Sequence, residues 1–312
     1  MAIGDFFKNG EGIGFKESLS DQQYEDLCNF EGNANGFKII SENKAGIKGG
    51  LRLSYATLGA FTKYPRKSIL DKKSDHIKDK KYGFFHSQNT FFDEVANELG
   101  MVDSNGEYMR HPLAYLVEAA DDICYTLIDF EDGINLGWIS EEYALEFLIR
   151  LVKDSIDTKK YNSLKHKTDR VAYLRALSVN TLINDTVKIF LANEEKILNG
   201  QFTKTILSES VFKAQMKDII DISVRKVYNS KEVIEKELKG YQVIHKLLSV
   251  FIKAAVNNQS DNTTALDDLV LASLPKTYIH KEGNLYNQLL DISCFVASLT
   301  DGNALEWYNK IS

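Results

Sequence analysis

Residues 111–137, HPLAYLVEAADDICYTLIDFEDGINLG, are the stretch of sequence that says most about this fold. Pro112 suits the first position of a helix, and apolar residues then recur at intervals of three and four as far as Gly133. This spacing predicts one long amphipathic helix that ends near Gly133. The same stretch carries six carboxylates between Glu118 and Asp132 and no Lys or Arg.

The carboxylates of this helix are not spread evenly around it. Residues at spacings of four, eight and eleven share one helical face. Here that face holds Asp121, Tyr125, Asp129 and Asp132, with Glu118 and Asp122 at its sides. Each pair of like charges at a spacing of four costs an isolated helix about 0.2–0.5 kcal/mol. The face is therefore either a solvated acidic surface or one wall of a site whose metal or basic groups neutralise it, and the small neighbours Ala119, Ala120 and Cys124 favour a site.

Working outward, the rest of the chain also predicts helices. Only three prolines interrupt 312 residues. Apolar periodicity predicts further helices over about 89–99, 140–156, 168–200, 206–229, 230–256 and the 280s to 312. Ten of the 19 glycines precede residue 60 and predict a loop-rich beginning. The expected fold class is all-α, a multi-helix bundle, with one domain over residues 1–200 and a C-terminal helical region over 201–312 packed on it.

Composition excludes several classes of protein. The net charge of −6 argues against a protein that coats nucleic acid. Three widely spaced cysteines argue against a zinc ribbon or a disulfide framework and favour a reducing compartment. No stretch approaches the ~20 apolar residues that span a bilayer. We therefore expect a cytoplasmic protein without a membrane partner.

Four segments together carry a family resemblance. HPLAYLVEAADDICYTLIDFEDG resembles the last metal-ligand helix of the bacterial deoxyguanosinetriphosphate triphosphohydrolases of the HD superfamily. FEGNANGFKII (30–40), LRLSYATLGAFTKYPR (51–66) and KKYGFFHSQ (80–88) resemble other segments of that family in the same order. The resemblance covers residues 15–185 and implies an HD-domain-like all-α fold. It also implies hydrolysis of a dNTP, with dGTP preferred, to the deoxynucleoside and triphosphate by means of a divalent metal, Mg or Mn, with Fe-type ions or Ni also compatible.

The resemblance also implies roles for individual residues. Asp121 matches a metal ligand, Tyr125 a group that excludes a sugar 2′-hydroxyl, and Asp129 an acceptor for the 3′-hydroxyl. Substrate contacts are further implied for an amide, two lysines, a tyrosine and an arginine, namely Asn33, Lys63, Lys81, Tyr64 and Arg175. Glu31 and Asp122 are candidates for supporting contacts. Taken singly, each also fits an ordinary role, such as a surface lysine, a packing aromatic or a helix salt bridge.

This sequence departs from the family pattern in three places. Asn35 stands where the family pattern has Gln, and Gln88 where it has Glu. The family places a metal-binding His, a His-Asp pair and a catalytic His before the FEGNA segment. All six histidines here follow that segment and none precedes an Asp, so no catalytic residue is located. We therefore expect an N-terminally truncated family member that is inactive alone and that binds metal only if the missing ligands are supplied.

Two functions from different classes follow. The first is a dNTP triphosphohydrolase completed by another polypeptide that supplies the missing ligands. The second is a non-catalytic nucleotide-binding or regulatory subunit of a complete homologue. A helical scaffold without any ligand is disfavoured because Asp121, Tyr125, Asp129, Lys63 and Lys81 are all present. The expected partners are dGTP or another dNTP, and either further copies of this chain in a homo-oligomer or a chain carrying the missing segment. The resemblance also admits single-stranded DNA.

Overall fold

The computed structural model describes residues 2–42, 51–70 and 75–311. Within these ranges the chain is helical and forms no strand, apart from one isolated antiparallel bridge between Val102 and Tyr108. None of the described helices is long and apolar enough to cross a membrane. The all-α prediction is therefore confirmed.

Fifteen α-helices are described, in addition to shorter 3-10 and π segments. They are α1 (Ala2–Lys8), α2 (Asp21–Cys28), α3 (Gly32–Ser41), α4 (Tyr55–Phe61), α5 (Asn89–Glu98), α6 (Ala114–Asn135), α7 (Glu141–Val152), α8 (Thr158–Ser163), α9 (Lys167–Ala192), α10 (Glu194–Leu198), α11 (Lys213–Ser223), α12 (Lys231–Gln259), α13 (Ala265–Ser273), α14 (Leu285–Ser298) and α15 (Asp301–Ile311). The 3-10 segments are Glu11–Ser18, Ile77–Asp79, His86–Gln88, Lys153–Ser155, Ile206–Glu209 and Lys276–Tyr278, and Val224–Tyr228 is a π-helix.

Several predicted boundaries needed correction. The acidic helix α6 continues through Gly133 and ends before Gly137, whose φ of +78° suits glycine at a helix end. The helix predicted over 168–200 is broken at Asn193. The side-chain Nδ2 of Asn193 donates to the Ile189 carbonyl (2.9 Å) and so competes with the backbone hydrogen bonds of the helix. Likewise the final helix is broken at Leu299, which has extended backbone, and gives α14 and α15.

The beginning of the chain is more helical than its glycines predict. Helices α1 to α4 occupy most of the described residues before 62. Each is ten residues or shorter, a length at which tertiary packing supplies most of the stability. Some of the glycines serve that packing, because a Cβ on Gly4 would lie 3.1 Å from the Cys28 carbonyl carbon.

The chain divides into two compact units. The first unit contains the described residues of 1–74, 78–108 and 236–312, and the second unit contains 75–77 and 109–235. Both units take segments from distant parts of the sequence. The domain boundary expected at residue 200 stays a prediction.

The first unit has its main core among α1, α2, α12 and α14. Fully buried side chains there include Phe7, Leu27, Phe251 and Leu289. A smaller cluster surrounds Phe37, Phe84 and Phe92, with the rings of Phe84 and Phe92 stacked at 4.2 Å. This second cluster holds the FEGNANGFKII and KKYGFFHSQ segments against α5.

A buried aspartate links distant segments of the first unit. The Asp26 carboxylate accepts hydrogen bonds from Ser68 Oγ (2.5 Å), the His86 backbone N–H (2.7 Å), Tyr286 Oη (2.5 Å) and Gln22 Nε2 (3.2 Å). Even so, burial outweighs these donors and raises the pKa of Asp26 above its ordinary value. Asp26 thereby ties residues from four parts of the sequence together.

The second unit is built around the acidic helix. α6 packs against α9 and α11, and α7 packs against α9. The buried side of α6 contributes Ile123, Leu127 and Phe130, which meet Leu174 and Leu182 of α9 in one hydrophobic core. This packing fixes which side of α6 is left uncovered.

Candidate functional site

One uncovered side of α6 presents the residues that the spacing predicted together. Tyr125 is 63% exposed, Asp121 and Asp129 are half-buried, and Asp132 is exposed. Because Ile123, Leu127 and Phe130 are buried on the opposite side, the face with Asp121, Tyr125 and Asp129 is the polar one. The predicted shared face of α6 is therefore present in the second unit.

Two arginines neutralise carboxylates of α6. Arg110 Nη1 donates to Glu118 Oε2 at 2.9 Å in a pair that is almost wholly buried, with the guanidinium 4.2 Å above the Tyr115 ring. Arg175 of α9 lies with its Nε 2.6 Å from Glu131 Oε2. Two of the six carboxylates of α6, Glu118 and Glu131, thus lie beside cations from outside the helix.

A residue that sequence reasoning missed touches this face. Tyr228 Oη donates a hydrogen bond to Asp129 Oδ2. Partial burial and the neighbouring Asp129 carboxylate raise the pKa of the Tyr228 hydroxyl to about 12, with a smaller contribution from Tyr125. Tyr228 lies 99 residues beyond Asp129. No spacing or motif in the sequence could have indicated it.

Close packing brings the Tyr228 segment onto α6. A Cβ on Gly133 would lie 2.6 Å from Val227 Cγ2 and 2.8 Å from Ile139 Cδ1. Glycine at this position therefore lets Val227 approach the helix one turn beyond Asp129. The neighbouring Tyr228 is thereby placed at the polar face.

A metal requires more ligands than this face supplies. Among the described residues, no group of three or more His, Cys, Asp and Glu side chains is placed to hold a metal ion. Asp121 and Asp122 are adjacent in sequence and so point in directions about 100° apart on the helix. Magnesium and manganese prefer several oxygen or imidazole ligands. The described residues therefore do not fit a complete divalent-metal site.

The first unit holds a second group of predicted site residues. Glu31 caps α3, accepting from the backbone N–H of Asn33 (3.4 Å) and from its Nδ2 (2.7 Å). Lys81 Nζ lies 3.3 Å from the same Glu31 oxygen. The FEGNAN and KKYGFF segments therefore place an amide, a carboxylate and a lysine together.

Lys63 and Tyr64 lie on a turn that packs against the KKYGFF segment. Gly83 donates its N–H to the Arg66 carbonyl at 3.2 Å, and a Cβ on Gly83 would overlap the Tyr64 carbonyl oxygen. Lys63 is half-buried, whereas Tyr64 is only 5% exposed. The burial of Tyr64 agrees with a packing role. The predicted contact of Tyr64 with substrate stays a prediction.

Both amides that depart from the family pattern are buried. Asn35 and Gln88 are each 8% exposed, and within the described ranges the Asn35 Oδ1 and Gln88 Oε1 atoms accept no hydrogen bond. A buried acceptor left without a donor costs about 1–3 kcal/mol. These two buried acceptors therefore reduce the stability of the first unit.

The first unit also contains a cavity of about 600 Å³. Its walls include Lys38, Gln88, His280 and Asp291. Asp291 already accepts from Lys38 Nζ (2.9 Å) and lies 2.7 Å from His280 Nε2. Lys38, His280 and Asp291 thus interact with one another, and none of the described residues that line the cavity belongs to the predicted site.

The predicted residues therefore fall into two groups. Glu31, Asn33, Lys63, Tyr64 and Lys81 belong to the first unit. Asp121, Asp122, Tyr125, Asp129 and Arg175 belong to the second unit. Each group is formed by segments that lie together within its own unit.

The helical fold and the polar face of α6 together define a class of protein. In this class an all-α fold contains an amphipathic helix that carries an aspartate, a tyrosine and a second aspartate at intervals of one turn. No family model matches the chain. Over 320 residues it is 31% identical to a deoxyguanosinetriphosphate triphosphohydrolase-like protein of Pseudomonas aeruginosa (strain LESB58), covering all of this chain and 72% of the relative. The chain belongs to the deoxyguanosinetriphosphate triphosphohydrolase-like family.

Two further relatives extend this comparison. A deoxyguanosinetriphosphate triphosphohydrolase-like protein of Synechocystis is 31% identical over 296 residues, which cover 92% of this chain and 66% of the relative. A deoxyguanosinetriphosphate triphosphohydrolase of Serratia proteamaculans is 29% identical over 260 residues, which cover 77% of this chain and 50% of the relative. The chain thus spans half to about three quarters of the length of these curated relatives.

Proposed function

We propose that this chain is part of a dNTP triphosphohydrolase that prefers dGTP and releases the deoxynucleoside and intact triphosphate. The observation that carries the proposal is the α6 face, where Asp121, Tyr125 and Asp129 lie one turn apart on an uncovered side of the helix. Membership of the deoxyguanosinetriphosphate triphosphohydrolase-like family supports the substrate class.

In this proposal the sugar is recognised by α6. Asp129 accepts the 3′-hydroxyl, and the exposed Tyr125 ring fills the space that a 2′-hydroxyl would need. The ribonucleotide and the deoxynucleotide both carry the 3′-hydroxyl, so Asp129 orients the sugar and the Tyr125 ring distinguishes between the two. The deoxynucleotide is therefore favoured over the ribonucleotide.

The triphosphate is recognised by cations. Lys63, Lys81 and Arg175 are the candidates, since lysine acts as a point charge toward phosphate and arginine can bind it through two parallel hydrogen bonds. In the structure Lys81 and Arg175 are beside Glu31 and Glu131 respectively. These carboxylates therefore compete with phosphate for the two cations.

The metal in this proposal, Mg or Mn, is bound by Asp121 together with ligands from protein outside residues 1–312. When bound, such an ion polarises a phosphoryl oxygen and lowers the pKa of a bound water. Because the described residues do not complete the metal site, we propose little or no turnover by this chain alone. The cytoplasm, a homo-oligomer and single-stranded DNA as a partner stay predictions.

The activity test is an incubation of the chain with dGTP and Mg or Mn, followed by chromatography of the products. If deoxyguanosine and triphosphate form, and if Asp121→Asn abolishes this activity while Asp218→Asn preserves it, the reaction class is supported. The same result would overturn the proposal that ligands from other protein are needed. Release of dGDP and phosphate contradicts the reaction class. With no turnover, binding of dGTP in preference to GTP by calorimetry supports the substrate class, and no binding of either contradicts it.

A second candidate is a non-catalytic nucleotide-binding or regulatory subunit. The observation that favours it is the lack, within the described residues, of a group able to hold a metal. The test is to add the chain to the complete P. aeruginosa relative and to measure hydrolysis of dGTP. A concentration-dependent change in rate supports regulation, provided that a heat-denatured sample has no effect, and an unchanged rate contradicts it.

A further inference from the structure

The π-helix at Val224–Tyr228 is the feature of the second unit that the proposed function does not yet use. It continues α11, and the Asn229 backbone N–H reaches the Val224 carbonyl at 3.1 Å, five residues back. Such an interruption is energetically poorer than continued α-helix and is often found at functional sites. Here it ends on Tyr228, at the polar face of α6.

The hydrogen bond from Tyr228 uses only half of the Asp129 carboxylate. Tyr228 Oη donates to Oδ2, and no donor to Oδ1 is present within the part of the chain that the structure describes. Tyr125 and Tyr228 are 63% and 43% exposed. The carboxylate is thus fixed at one oxygen, and the rings of two exposed tyrosines stand near it.

We propose that Tyr228 is a positioning residue, whose hydroxyl fixes Asp129 Oδ2 so that Oδ1 accepts the 3′-hydroxyl of the deoxynucleotide. This inference rests on the proposed function and adds to it a residue that determines sugar specificity. Its chemistry is direct. A carboxylate otherwise rotates among several orientations, and a charge-assisted hydrogen bond selects one of them before the ligand arrives.

The protonation state of the tyrosine agrees with this role. Burial and Asp129 raise the pKa of the Tyr228 hydroxyl to about 12, so at neutral pH it keeps its proton and remains a donor. A protonated tyrosine can donate this hydrogen bond without adding a charge of its own beside Asp129.

The test compares two ligands in two matched variants. Tyr228→Phe removes only the hydroxyl. Tyr143→Phe makes the same change at an exposed tyrosine of α7, in the same unit. Calorimetry in Mg measures the affinity of each protein for dGTP and for 2′,3′-dideoxy-GTP, which lacks the 3′-hydroxyl. We expect Tyr228→Phe to lose about three- to tenfold in dGTP affinity and little in dideoxy-GTP affinity.

The ratio of the two affinities separates positioning from structural damage. A structural role would weaken both ligands equally, whereas positioning weakens only the ligand that carries the 3′-hydroxyl. Asp129→Asn should by itself remove most of the preference for dGTP over 2′,3′-dideoxy-GTP. Adding Tyr228→Phe to Asp129→Asn should then change the ratio of the two affinities little further.

The outcomes are distinguishable. If the unmodified chain prefers dGTP and Tyr228→Phe keeps that preference unchanged, the inference is wrong and the proposed function stands. If Tyr143→Phe reduces the preference as much, the effect is not specific to Tyr228 and the inference is wrong. If the unmodified chain binds neither ligand, the proposed function fails and the inference falls with it.

Discussion

Arg175 lies with its Nε 2.6 Å from the Oε2 atom of Glu131 and thereby joins α9 to the acidic helix α6. The family resemblance assigns Arg175 to phosphate, yet its charge is compensated by a carboxylate of its own unit. Glu131 is 16% exposed and Arg175 is 35% exposed, so the pair is only partly shielded from water. The ion pair therefore competes with the phosphate that we propose Arg175 binds.

Glu131→Gln should strengthen the binding of inorganic triphosphate. Removing the carboxylate charge leaves the Arg175 guanidinium uncompensated. Because a partly exposed pair contributes about 0.2–1 kcal/mol, we expect a gain of about two- to fivefold in affinity by calorimetry.

The control for this prediction is Glu146→Gln, which removes a carboxylate that pairs with Arg150 on the exposed side of α7. It changes the net charge equally and leaves Arg175 untouched. An equal gain in both variants would mean that overall charge, and not Arg175, governs triphosphate binding.

Glu118→Ala should strongly destabilise the protein. It leaves the buried Arg110 guanidinium without its partner, and an unpaired buried charge costs about 3–5 kcal/mol. Urea denaturation measures this as a fall in the free energy of unfolding. The double variant Arg110→Met with Glu118→Leu should lose less than the single one, because neither charge is then left alone.

An exposed pair provides the comparison. Glu306→Ala breaks the ion pair between Glu306 and Lys310 at the surface of α15, and its unfolding midpoint should hardly move. Equal losses from Glu118→Ala and Glu306→Ala would show that burial does not control the cost of breaking these pairs.

Stability should decline with rising pH through the titration of Asp26. Its pKa is raised in the folded protein, mainly by burial, above the ordinary 3.8. Between these two values the folded state holds a proton that the unfolded state has released. The free energy of unfolding therefore falls as pH rises through this window, by at most about 1.4 kcal/mol per pH unit from this group.

Asp26→Asn tests that dependence because an amide does not titrate. Urea denaturation at several pH values from about 4 to about 7 should give a shallower decline in the variant than in the unmodified protein. Asp301→Asn, at the exposed start of α15, should retain the original slope. Parallel curves for Asp26→Asn and the unmodified protein would refute the assignment.

Gly83→Ala should destabilise the first unit. The added methyl group overlaps the Tyr64 carbonyl oxygen and lies 2.7 Å from Thr62 Cγ2, so backbone must move. We expect a loss of about 1–3 kcal/mol in the free energy of unfolding. Gly240→Ala has open space in the middle of α12 and should instead gain about 0.5–1 kcal/mol. The same sign for both substitutions would contradict this account.

Sequence periodicity predicted the long helices well and the short ones poorly. α6 begins and ends within two residues of the predicted bounds, because its alternation of buried and exposed residues is continuous over six turns. α1 to α4 were missed, since each is too short to have a clear period and contacts with distant segments stabilise it. The break at Asn193 was missed because one local side-chain hydrogen bond decides it.

The candidate site divides in the same way. The spacing of Asp121, Tyr125 and Asp129 placed them on one face of α6, and the structure has them there. The contact of Glu31 with Asn33 is local, yet the sequence analysis did not predict it. The contact of Glu31 with Lys81 crosses 50 residues and has no counterpart in any spacing.

The sequence by itself determined the helical class of this protein and the polar face of its acidic helix, because both follow from the order of residues within a few turns. Only the tertiary structure decided which cation lies beside Glu131 of that helix and which group orients Asp129 on its polar face. Arg175 on Glu131 and Tyr228 on Asp129 are brought there by the packing of α9 and of the π-helix after α11. These contacts depend on which helices bury their apolar sides against one another, and residue spacing along one helix carries no information about its neighbours.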